Sequence, residues 1–61
     1  MSVILLIERA RSEAVRFIAA ADAATQRLRD DETARYGCKE TAACKRASMD
    51  LSRALSEMRR T

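Results

Sequence analysis

Residues 3–31 read VILLIERARSEAVRFIAAADAATQRLRDD, and the apolar positions Val3, Ile7, Ala10, Ala14, Phe17, Ala21, Ala24 and Leu28 advance by alternating fours and threes. That period is one face of an α-helix. A second such stripe, Cys44, Ala47, Leu51, Ala54 and Met58, follows later in the chain. Set antiparallel, the two stripes pair Val3 with Met58, Ile7 with Ala54, Ala10 with Leu51, Ala14 with Ala47, Phe17 with Cys44 and Ala24 with Gly37, and each pair of numbers totals 61. Large residues then meet small ones, the way two close helices interlock. The reading is all-α: an antiparallel hairpin of two long helices, with its fold point between Asp30 and Asp31.

On this reading helix one runs from about Ser2, its N-cap, to Arg29, the bend lies at 30–31, and helix two runs from about Asp31 to Arg59 or Arg60. Charge supports the division. Residues 1–29 carry five Arg against three acids, 30–36 one Arg against three acids, and 37–61 six basic residues against three acids. Arg27 and Arg29 thus stand at the negative end of helix one, while Asp30, Asp31 and Glu32 stand at the positive start of helix two, with Asp30 able to cap it. A rival turn at Tyr36 and Gly37 follows from the usual place of Gly just beyond a helix end. It would leave three acids in the last turns of helix one and break the register. Under the early bend, Gly37 is a helical residue opposite Ala24, where it lets two backbones approach. Ala21 then faces Glu40, whose carboxylate must lean out of the seam or meet a cation.

Sixty-one residues form one domain at most, and a chain this short seldom buries enough apolar surface to stand alone. The absence of Pro, the single Gly and the near-absence of aromatics exclude most sheet and turn-rich architectures. Helix one also has more apolar surface than one partner helix covers. Ile4, Val15 and Ile18 form a second stripe beside the first, and a homodimer closing into a four-helix bundle is the simplest way to cover it. The run Val3 to Ile7 is far shorter than the roughly 20 residues of a membrane span and leads into Glu8 and Arg9. It reads as core and interface, so a cytoplasmic protein with no membrane partner is expected.

No catalytic set is legible. There is no His, the Ser and Thr are scattered at helical positions, and no nucleophile stands beside a base, so no enzyme and no cofactor is expected. Cys38 and Cys44 lie six apart, on different faces of one helix, which excludes a disulfide between them and leaves no metal site within one chain. Two surfaces remain. Lys39, Arg46, Arg53 and Arg60 repeat every seven residues as a basic stripe that could follow nucleic-acid phosphates. Asp50 and Glu57, four residues beyond Arg46 and Arg53, would make ordinary ion pairs with them. Near the bend, Arg27, Asp31, Arg35 and Tyr36 gather the residue types that anchor protein interfaces.

With its length, its bend at Asp30, Cys38 in helix two and the run Ala14, Val15, Arg16, Phe17, Ile18, the chain resembles the Rop family, plasmid proteins whose dimeric four-helix bundle binds paired RNA loops. In that family the Phe stands among polar and basic residues on the RNA-facing side. Here Glu13 and Ala21 lie four residues either side of Phe17, and Leu6 and Leu28 lie eleven away, so the resemblance carries no RNA-contacting residue onto this chain. As an Arg- and Ala-rich hairpin with an Arg and Tyr patch, it is also similar to small proteins of Pseudomonas phages. These include a quorum-sensing anti-activator that binds a LuxR-type transcription regulator and a pilus-assembly ATPase. That resemblance implies a viral, non-enzymatic inhibitor acting on a host protein.

Overall fold

The computed structural model of the chain describes residues 2–60, and of Tyr36 the backbone alone. It is all-helical: α1 spans Val3–Asp30, a 3-10 turn spans Glu32–Tyr36, and α2 spans Lys39–Arg59. The two helices pack along each other as a hairpin, and the 3-10 turn folds against α1. Ser2 caps α1, its hydroxyl accepting from the Ile4 amide at 3.2 Å.

The connection departs from the two-residue bend. Helix two starts at Lys39 rather than Asp31, because the chain is interrupted twice. Asp31 turns its own side chain on the following backbone, accepting from the Thr33 amide at 3.0 Å and the Thr33 hydroxyl at 2.6 Å. That local bond holds Asp31 extended (φ −145°, ψ 104°) and competes with helix continuation. Gly37 then adopts φ 137°, ψ 134°, a region that a side chain disfavours. Both turn signals of the sequence therefore operate, with one 3-10 turn between them. Gly37 is not a helical residue opposite Ala24. Asp30 is the last residue of α1, where Gln26 donates to it at 3.0 Å, and it caps nothing. At the start of α2 the Thr41 hydroxyl donates to the Cys38 carbonyl at 2.9 Å and accepts from the Cys38 amide at 3.4 Å. Glu40, awkward in mid-helix, sits instead in the first turn of α2, where a negative charge opposes the helix dipole favourably.

The seam on α2 is the expected one: Ala47 and Ala54 are buried, and Cys44, Leu51 and Met58 are half-buried. On α1, Ala10, Ala14, Phe17, Ala21 and Ala24 are covered, but Val3 and Ile7 remain 51% and 49% exposed while Leu6 is buried. The cause is the mismatch between a seven-residue repeat and a helix of 3.6 residues per turn. A straight helix drifts by about 20° per heptad, so three heptads before Ala24 the covered direction has moved off Val3 and Ile7 and onto Leu6. Five consecutive apolar residues at 3–7 give the pattern no polar position with which to mark that shift.

The buried set is thin: Leu6, Ala10, Ala24, Ala34, Ala47 and Ala54. Among the described residues one ion pair crosses between the helices, Arg9 to Glu57 at 3.1 Å, and an exposed pair of this kind contributes at most about 1 kcal/mol. The molecule measures 44 × 15 × 12 Å and exposes 4793 Å². A compact monomer of 6.8 kDa exposes about 4,000 Å². The elongated hairpin thus exposes more surface than a compact chain of its mass, and the large apolar side chains it leaves exposed lie, Met49 apart, on α1.

Candidate functional site

Three surfaces carry the residues singled out by sequence. The first is the outward face of α1. Ile4, Val15 and Ile18 are 67%, 62% and 57% exposed, and Val3, Leu5 and Ile7 extend the apolar area toward the N-terminus. None of them packs in the hairpin seam. The reason is geometric: each helix turns one stripe about 100° wide toward its partner, and α1 carries apolar residues around much more of its circumference.

The second surface is the bend. The Arg27 guanidinium lies 3.6 Å from the Asp31 carboxylate, one turn along, so these two residues are held together. Asp31 is drawn below its ordinary value of 3.8, first by its side-chain bond with Thr33, then by the Thr33 amide; desolvation opposes them, and the Arg27 charge adds the smallest contribution. Arg35 is exposed and lies in the 3-10 turn, whose last residue is Tyr36. The Tyr36 side chain, part of the expected patch, lies outside the described residues. Sequence reasoning did not single out Thr33, which fixes the Asp31 conformation. Its signal was the Asp-x-Thr spacing of a side-chain-capped turn.

The third surface is the basic stripe of α2. Lys39, Arg46, Arg53 and Arg60 are all exposed. The ion pairs expected along it do not form. Glu57 turns across to Arg9, and among the described residues no carboxylate lies within ion-pair distance of Arg46 or Arg53. A further ion pair joins Arg16 to Glu13 on α1 at 2.9 Å. A helix face need not satisfy every i,i+4 pairing, because each contributes only about 0.3–0.5 kcal/mol and a cross-helix partner competes for the same carboxylate.

Cys38 and Cys44 are free thiols, both half-buried. Among the described residues no cavity forms, no three His, Cys, Asp or Glu side chains gather as metal ligands would, and no helix is long and apolar enough to cross a membrane. No protein-family model, curated protein or solved structure matches this chain.

Proposed function

We propose that this chain is a non-enzymatic binding protein. Two hairpins join through the outward face of α1 into a four-helix bundle, and the bundle inhibits a partner protein by covering one of its working surfaces. The observation that carries the reading is the exposure of Ile4, Val15 and Ile18 on a hairpin whose core, among the described residues, is five Ala and one Leu. Fully burying an Ile or Val contributes about 1.5–3 kcal/mol, so covering the exposed half of three such side chains on each of two copies contributes roughly 6 kcal/mol. With the neighbouring Val3 and Ile7, that reaches the range needed to offset the cost of association. A twofold axis closes the contact, because one face then serves both copies.

The bend is the proposed contact with the partner. Arg27, Asp31, Arg35 and Tyr36 lie at the end of the hairpin, away from the N-terminal run of α1, and the Asp31 bonds to Thr33 hold the turn in one conformation before binding. A preformed contact loses less conformational freedom when it docks. The likeness to phage anti-activators supplies the partner class: a LuxR-type quorum-sensing transcription regulator or a pilus-assembly ATPase in the host cytoplasm. The test is direct titration of the purified chain against both classes of protein. Arg27→Ala and Tyr36→Ala should each weaken binding about tenfold, as loss of an interface anchor does, with the dimer intact. Lys45→Ala, away from the bend, should bind as the parent does. Failure to bind either class, or equal losses for all three variants, refutes the inhibitor reading.

A further inference from the structure

The Arg9–Glu57 bridge shows which flank of α1 adjoins which flank of α2. Eighteen residues are five complete helical turns, so Arg27 lies on the same line of α1 as Arg9, and Lys39 lies on the same line of α2 as Glu57. Arg16, two turns from Arg9, joins the first line. Arg46 and Arg53 continue from Lys39 at seven-residue steps. One flank of the hairpin therefore gathers six basic residues from both helices, with Asp50, three turns from Lys39, and Glu57 standing among them in the α2 row, a juxtaposition that neither helix shows by itself.

The charge on this flank is only partly matched. Arg9, Arg16 and Arg27 each hold a carboxylate, at 3.1, 2.9 and 3.6 Å, but all three side chains are about half exposed or more. Lys39, Arg46 and Arg53 make no ion pair among the described residues. They stand about 10.5 Å apart on a straight helix. Ile18, nine residues from both Arg9 and Arg27, lies half a turn round on the opposite side of α1. A second copy covering Ile18 leaves the basic flank open.

We propose that this flank binds the phosphate backbone of duplex DNA without reading its sequence. The α2 row can lie along one strand. The α1 arginines project from a second helix axis about 8–10 Å away, so their long side chains can turn to phosphates of the facing strand across the roughly 12 Å major groove of B-form DNA. The deep, narrow major groove of A-form RNA offers no such pair. Single strands are held chiefly by stacking on aromatic side chains. The chain has one Phe and one Tyr, and Phe17 is half-buried in the seam.

The test is fluorescence anisotropy of the full chain with a labelled 20-base-pair DNA duplex, the corresponding RNA duplex, the single strand and polyglutamate, at two salt concentrations. Duplex DNA should bind most tightly, with micromolar or weaker affinity at physiological salt. The double variant Arg46→Gln, Arg53→Gln should lower affinity at least tenfold and flatten the log–log salt slope by about 1.8, two contacts at about 0.9 each. Lys45→Gln, Arg59→Gln removes the same net charge from outside the row and should change affinity less than threefold; circular dichroism confirms that both variants are helical. Absence of DNA binding at low salt, equal losses for the two double variants, or tighter binding to RNA, single strands or polyglutamate overturns the proposal.

Discussion

Replacing Gly37 by Ala separates two accounts of the connection by the sign of the effect. At φ 137°, ψ 134° the backbone is in a region where an L side chain is strained, at a cost of order 1–3 kcal/mol. A Cβ built there meets nothing within 4 Å, so no collision adds to the backbone term. Against it stands the reduced freedom of the unfolded chain, worth about 0.4–1 kcal/mol to any Gly→Ala change. The net expectation is a loss of about 1 kcal/mol, which for a chain of this size lowers the melting temperature by about 4–8 °C. The assay is thermal unfolding followed by circular dichroism, with both proteins at one fixed concentration because association shifts the midpoint. Were Gly37 inside a continuous second helix, the same change would stabilise by up to about 1 kcal/mol. An unchanged or raised midpoint therefore refutes the two-stop connection.

Three further outcomes follow from the packing and the bend. Ile18→Asp places one charge per copy into the proposed dimer face and should weaken association at least about a hundredfold; light scattering should show monomers for this variant and dimers for the parent and for Met49→Asp, and a monomeric parent at about 100 μM rules the bundle out. Ala54→Leu forces extra volume onto the least exposed residue of the seam and should cost about 1–3 kcal/mol, whereas Ala43→Leu on the exposed side of α2 should be near neutral in the same urea titration; equal midpoints would place Ala54 outside the seam. Asp31 has a folded value below its ordinary 3.8, so its stabilisation is present above that pH and is lost as pH falls through the folded value. Asp31→Asn should accordingly lose less stability than the parent between about pH 5 and pH 2; parallel acid profiles would show that the Thr33 and Arg27 contacts carry no linkage.

How far the candidate surfaces were legible differs from one to the next. The α2 stripe was visible at its seven-residue spacing, and its exposure follows from the same periodicity, which sets Arg46 and Arg53 about 100° round the helix from the buried Ala47 and Ala54. Its lack of ion pairs was not visible, because sequence spacing offers Glu57 to Arg53 while only the packed hairpin offers it to Arg9. The pairing of Arg27 with Asp31 was within reach of sequence, being one helical turn. The role of Thr33 was not drawn from it, since the Asp31 side chain had been assigned to a helix start rather than to a turn.

By itself the sequence determined that the chain is helical, that its first helix stops at the paired aspartates, and that Cys44, Ala47, Leu51, Ala54 and Met58 face the partner helix. These are properties of local propensity, charge and period, which act over a few residues. The tertiary structure decided which of five adjacent apolar residues in α1 enters the seam, and that the return takes the eight residues from Asp31 to Cys38 rather than a two-residue bend. The first is decided by accumulated rotation over many turns, which a short-range pattern does not measure. The second is decided by Asp31 and Gly37 acting together: each alone is compatible with a single bend, and the chain between them folds as a 3-10 turn against α1.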